Sequence, residues 1–371
     1  MGKQLVLVGG GHAHMVTLAN LYQFIEKGHN VMVIGLSPYH YYSGMGPGML
    51  GKVYTPEDIR FATQNVVEKQ GGSFVRGKAV RVDADERIVR LESGETVSYD
   101  VLSFNVGSYV PLSIVKDDDY KDICSVKPIE KLIEAQARIL ELGSQKKITV
   151  SIIGGGPSSA EIAGNVWRLT RDFGKNKPVI RIFAGENFMS HFPENIRKMV
   201  VGSLEKRGIE ILEGSYVKEV QTGVITTESG QSHKTDFIFL ALGVKPAPIF
   251  VESGLPAGPD GGLLVNRYLQ SPKHPEIFGG GDCIYFKDRP LNKVGVYAVR
   301  QNPILYHNLM ASLEKTALKS FNPGGDYLLV FNMGDGTGIL RKKWLLFGGR
   351  PAFVIKDYID RKFMKKFQSI E

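Results

Sequence analysis

Cysteine is nearly missing from this chain: Cys124 and Cys283 are the only two in 371 residues. A disulfide scaffold needs more, and so does a zinc site built from thiolates. Long apolar runs are missing as well. No uncharged stretch approaches the roughly 18 residues that a bilayer-crossing helix requires. Surplus charge is scarce outside the tail. Of the net +8, +6 lies in residues 341–371, which hold nine Lys/Arg and three Asp/Glu, so residues 1–340 carry +2. A nucleic-acid binder spreads basic residues over a face of its main domain, which argues against that class. With 43% apolar and 23% charged residues, the chain is neither disordered nor a multi-spanning membrane protein. Residues 3–8 already read as a strand, which leaves no room for a signal peptide, and Val6 stands where a myristoylation signal needs Ser or Thr. With free cysteines, the expected compartment is the cytoplasm.

Glycine, by contrast, is abundant, with 43 residues that fall in short clusters. The first cluster, Gly9-Gly10-Gly11, follows the apolar run at 4–8. It precedes a helix expected over 13–26 and a strand over 31–34. The same grammar recurs: a strand at 149–153, Gly154-Gly155-Gly156, a helix from about Ser159 and a strand at 179–182. A glycine turn between a buried strand and a helix lets the backbone approach a pyrophosphate, with the helix N-terminus supplying positive charge. His14 and Ser159 occupy the places where a third glycine is expected. The second loop is a nucleotide site or a structural duplicate that binds nothing. An acid that would grip an adenosine ribose is absent from both units. Gly35 and Phe183 are read at that place, with Glu186 three residues late, so NADH and NADPH cannot be told apart.

β-hairpins are expected at 73–91 and 210–227, and glycine-closed strands at 99–107, 235–243 and 277–283. A long helix is expected over 297–315, and hairpins with a terminal helix beyond 319. The fold class is therefore α/β, with two Rossmann-like FAD/NAD(P)-binding domains of glutathione-reductase-like layout and a small α+β C-terminal module. The expected divisions are 1–111 with 240–315, 112–239, and 316–371.

The ordered motifs Gly9-Gly10-Gly11-His12, Asn105-Val106-Gly107, Gly154-Gly155-Gly156, Ala241-Leu242-Gly243 and Gly281-Asp282 resemble the FAD-dependent pyridine nucleotide–disulfide oxidoreductase superfamily. The chain is most similar to the branch of type II NADH dehydrogenases and sulfide:quinone reductases. Tyr42-Ser43-Gly44-Met45-Gly46-Pro47-Gly48, Ala298-Val299-Arg300-Gln301 and the segment from Lys356 to Met364 look like the flavoprotein domain associated with selenide, water dikinase.

The resemblance implies FAD in the first unit. Gly9, Gly11, His12 and His14 would lie at its pyrophosphate, and Ser43, Gly44, Pro47, Gly107, Gly243 and Gly281 around it. Val80 would offer backbone to the adenine, Asp282 would accept from a ribityl hydroxyl, and the helix after Val296 would point at the flavin. NAD(P)H would lie in the second unit at Gly154, Gly156 and Ser158. Glu161 aligns with an acid near the nicotinamide, or is an ordinary helix-surface Glu. Gln301 faces the flavin, or is a helix-cap or core amide. The implied reaction is hydride transfer from NAD(P)H to flavin N5, then electron transfer to a quinone-like acceptor.

Tyr41 to Tyr54 carries no cysteine and Cys124 stands alone, so a redox disulfide is not expected. Sulfide, or a related sulfur or selenium species, is an alternative donor that would use Cys124. A flavin-bound sensor with negligible turnover is another alternative. Cys283 is expected to pack. His12, His14 and His40 offer no tetrahedral metal set. Ala352, Ile355, Ile359, Phe363 and Phe367, with Lys356, Arg361, Lys362, Lys365 and Lys366 between them, read as a basic amphipathic helix. Such a helix lies on the inner face of the cytoplasmic membrane, or packs on its own domain or a homodimer partner.

Overall fold

A computed structural model describes residues 2–117 and 121–371, and its framework is two parallel five-stranded sheets. The first runs in the order Ile277–Gly279, Val101–Phe104, Gln4–Val8, Asn30–Gly35, Ser73–Arg76. The second repeats that order of roles with Ile123–Ser125, Phe237–Leu240, Thr149–Ile153, Val179–Phe183 and Glu210–Leu212. The central strands are apolar on both faces: Leu5, Val6, Leu7, Val150 and Ile152 are all fully buried. Only a parallel strand covered by helices on both sides accommodates such a run. The glycine turns that follow Gln4–Val8 and Thr149–Ile153 lie at the carboxyl edges of the sheets, where open α/β folds place their ligands.

Several sequence expectations need correction. Residues 73–76 and 210–212 do not begin hairpins. They add as parallel edge strands to Asn30–Gly35 and Val179–Phe183. Each hairpin sheet forms just beyond, from Ala79–Asp83, Ile88–Leu91 and Thr96–Ser98, and from Val217–Gln221, Val224–Thr227 and Ser232–Lys234. The helix over 13–26 is broken into Met15–Ala19 and Tyr22–Glu26. Asn20 ends the first piece by donating its side-chain amide to the Val16 carbonyl at 2.8 Å, a local bond that competes with the helix ladder. In the second unit the ribose-gripping place belongs to Ala184 and not Phe183. Gly9 donates its N–H to Ile34 and Gly154 to Phe183, so Gly35 and Ala184 are the matching next residues.

The two units are joined by an antiparallel pair, Ser108–Tyr109 with Lys245–Pro246. A division at 240 cuts the strand Phe237–Leu240, which belongs wholly to the second sheet. The C-terminal strands Leu329–Asn332, Gly338–Lys342 and Leu345–Gly349 form one sheet under the helix Arg350–Gln368. This module is not detached: Phe331, Met333, Ile339, Met364 and Phe367 share one buried cluster with Ile152 and Val166 of the second unit.

Candidate active site

The first glycine turn is shaped by Asn105. Its side-chain carbonyl accepts the Ala13 N–H at 2.9 Å, and its amide donates to the Gly280 carbonyl at 2.7 Å. A Cβ on Gly9 would collide with the Asn105 main chain, and one on Gly11 with its side chain; Gly9 also has φ +89°. Asn302 makes a second tie, accepting the Val16 N–H and donating to the His12 carbonyl, both at 2.7 Å. His14 makes its hydrogen bonds within the protein. It is fully buried, with Nδ1 2.7 Å from the Gly9 carbonyl and Nε2 2.8 Å from Ser103 Oγ. Where a glycine would let helix and strand touch, the imidazole fills the gap and bolts the turn to the next strand. Burial pushes its pKa down to about 4, so it is neutral at pH 7.

Gln301 is also a structural anchor. Only 1% exposed, it accepts the Gly281 N–H at 2.7 Å and fixes the turn that carries Asp282. This bond is the kind that the core-amide reading of Gln301 expects. Asp282 accepts from Ser108 Oγ at 2.9 Å and from Lys127 Nζ at 2.8 Å. Lys127 was missed in the sequence because a lone lysine outside a motif carries no signal. Burial pushes the His12 pKa down to about 4, and the Lys127 ammonium adds to that shift.

Val80 sits where the register slips between Ala79 and Arg81, opposite Leu91 and Arg90. Such a bulge leaves a residue's backbone unpaired. An added Cβ meets nothing within 4 Å at Gly107, Gly156, Gly243 or Gly295. The long helix Gly295–Glu314, which carries Val296 in its first turn, has no side-chain cap, and neither has Pro157–Thr170 after Gly156. Orphan N–H groups at such ends attract anions. Ser158 is exposed on the first turn of Pro157–Thr170, while the Ser159 hydroxyl is buried without a partner. Open glycines, uncapped helix ends and a free bulge fit a dinucleotide in each unit.

Glu161 lies on the next turn of Pro157–Thr170, its Oε1 accepting the Asn332 N–H at 2.8 Å. Burial raises its pKa, opposed by the nearby Lys356 ammonium. Lys356, expected beside the apolar stripe of the tail helix, is buried with Asp360, as are Ala352 and Phe367 of the stripe. Ile355 and Ile359 are exposed. Gly44 accepts from Lys356, Ser43 precedes it in the same turn, and Pro47 opens the short helix Gly46–Leu50. His12 stacks on Phe363, with centroids 5.7 Å apart, and meets His40 edge-on at 5.0 Å.

Cys124 and Cys283 are buried and free. Burial pushes the Cys124 thiol up to about 12 and Cys283 to about 11. Cys124 Sγ donates to the Ser125 and Lys131 carbonyls.

Residues 3–309 match the family model described as pyridine nucleotide-disulphide oxidoreductase. Among curated relatives, ferroptosis suppressor protein 1 of Taeniopygia guttata is 25% identical over 280 residues, covering 72% of this chain and 71% of that protein. The type II NADH:quinone oxidoreductase of Staphylococcus saprophyticus is 22% identical over 393 residues, covering 99% of this chain and 96% of its own length. The solved structure of NDH2 from Plasmodium falciparum in complex with NADH superposes with a TM-score of 0.83 at 15% identity, covering 99% of this chain and 98% of that one.

Proposed function

We propose a function for this chain from a firm premise: it belongs to the pyridine nucleotide-disulphide oxidoreductase family. It is an FAD-dependent NAD(P)H dehydrogenase that passes electrons to a quinone-like acceptor without a redox disulfide. The observation that carries this reading is that one chain builds the open glycine-turn sheet twice and buries both of its cysteines. The names of the relatives, with NADH and quinone among them, support it.

Gly9, Gly11, the Val80 bulge, Gly107, Asp282 and the end of Gly295–Glu314 would hold FAD. Bound there, it would supply a two-electron carrier between nicotinamide and acceptor. This chain's own groups bind and orient. Gly154, Gly156 and Ser158 would take the pyrophosphate of NAD(P)H on their main-chain N–H groups. The uncapped end of Gly295–Glu314 favours negative charge in front of it. Burial raises the pKa of the Glu161 carboxyl, whose Oε1 accepts the Asn332 N–H.

The acceptor side faces the tail. Trp344 is 88% exposed, and Leu345, Val354, Tyr358 and Ile359 are exposed with it, among Lys342, Lys343, Arg350 and Lys362. Apolar and basic groups together suit an anionic bilayer surface, from which a quinone would arrive. Among the described residues no helix is long and apolar enough to cross a membrane, so attachment would be peripheral, on the cytoplasmic side. A homodimer remains the competing use of this face.

A sulfur donor would need the Cys124 thiolate, and a thiol raised to about 12 is neutral at pH 7, which favours the nicotinamide. The test is anaerobic. NADH or NADPH should bleach the flavin band of the purified protein, and a soluble quinone should restore it. A flavin that stays oxidised sinks the donor; one that reoxidises only in air would instead mark a sensor.

A further inference from the structure

The two units match bond for bond along the edge where their glycine turns lie. Gly9 donates its N–H to Ile34, as Gly154 does to Phe183. Gly77 donates to the Gly35 carbonyl at 2.9 Å, and Ser215 to the Ala184 carbonyl at 3.1 Å. The Glu92 N–H reaches the Lys78 carbonyl and the Glu228 N–H the Tyr216 carbonyl, both at 2.8 Å. Each chain then enters an antiparallel sheet whose register slips once. The slips fall between Ala79 and Arg81 and between Val217 and Glu219. Tyr216 is therefore the counterpart of Lys78, and Lys218 of Val80. The unpaired main chain that Val80 would offer to an adenine has its second copy at Lys218.

The side chains at the matched places differ. In the first unit Lys78 pairs with Glu92 at 2.9 Å. In the second, the Tyr216 ring lies on Gly185, where an added Cβ would stand 2.8 Å from a ring carbon. Glycine lets the ring settle directly on main chain. Tyr216 nevertheless stays 50% exposed, so ring surface is left free. A lone exposed aromatic needs no explanation. This one stands at the carboxyl edge, over the residue that follows Ala184, where no acid is present to grip a ribose. A flat ring backed by main chain suits a planar base, which stacks through its π face.

We propose that Tyr216 is the adenine-stacking residue of the NAD(P)H site, with Gly185 as its seat and the Lys218 main chain beside the base. This rests on the reading of the second unit as the NAD(P)H site. It supplies by stacking the hold that a ribose acid would otherwise give.

ADP-ribose carries the adenine without the nicotinamide, so it probes the site with no turnover. It is titrated calorimetrically into FAD-loaded protein. Tyr216→Ala should raise its Kd about tenfold, and Tyr216→Phe should keep the wild-type value. Gly185→Ala should unseat the ring and weaken ADP-ribose as Tyr216→Ala does. Nicotinamide mononucleotide has no adenine, and its Kd should not move in Tyr216→Ala. In Tyr216→Trp the added indole emission should be quenched as ADP-ribose saturates. An unchanged ADP-ribose Kd in folded Tyr216→Ala overturns the proposal, and so does indole emission that ADP-ribose leaves untouched. Equal losses for both ligands would mark a merely structural tyrosine and overturn it too. ADP-ribose that binds through Tyr216, in a protein whose flavin neither NADH nor NADPH bleaches, would sink the donor and leave the adenine site standing.

Discussion

Lys127 reaches Asp282 across the seam between the two dinucleotide units, its ammonium 2.8 Å from the carboxylate. Lys127 follows the edge strand of the second sheet, and Asp282 follows the edge strand of the first. Lys127→Met would leave Asp282, whose side chain is 14% exposed, without its cation. An uncompensated buried charge is more costly than a missing pair. The expected outcome is loss of flavin on gel filtration and a Tm lowered by several degrees, read by absorbance and calorimetry. Unchanged flavin content would assign the pair to the seam alone.

Acid should destabilise the protein before its carboxylates titrate. His12 and His14 are held at about 4 and His40 at about 3, all below the ordinary 6.5, because burial penalises the imidazolium. The unfolded chain binds these protons near pH 6.5 and the folded one does not. Stability is therefore full above that pH and falls as pH drops toward 4. For His14 alone the limit is about 3 kcal/mol. Glu130 and Glu161 are shifted upward, which works in the opposite sense, so the difference between wild type and His14→Gln is the quantity to read. Urea midpoints from pH 7 to 5 should fall less steeply in the variant.

Cys124→Ser should leave NADH:quinone turnover within about twofold, since a neutral thiol bonded to main-chain carbonyls has no part in electron transfer. A collapse of sulfide-driven turnover in the same variant would revive the sulfur donor.

Trp344→Ala combined with Ile359→Asp should abolish flotation with anionic vesicles while sparing reduction of a soluble quinone. Both residues are exposed, so the fold should survive. Dilution-dependent dissociation of an oligomer, with no change in flotation, would give this face to a second copy of the chain.

The strands and glycine turns were legible because a parallel strand must be apolar on both faces, and that leaves a run such as Leu5-Val6-Leu7-Val8 in plain view. The roles of Asn105 and His14 were hidden, since their partners lie at Gly280 and Ser103, far away in sequence. Of the expected tail stripe, Ala352 and Phe367 are buried while Ile355 and Ile359 are exposed. Pattern reading sends every lysine outward, but Lys356 is drawn in by Asp360 and by Gly44 of another unit. Ile355 and Ile359 are left exposed on the other face. Glu161 was singled out by its place on the helix, but its bond to the distant Asn332 N–H was not legible.

The bonds of Asn105 to Ala13 and Gly280 are made entirely within the polypeptide. The cradle is therefore finished before any guest arrives. Protein from flavin-starved cells should stay folded, bind FAD in one fast bimolecular phase, and lose little motional freedom in doing so.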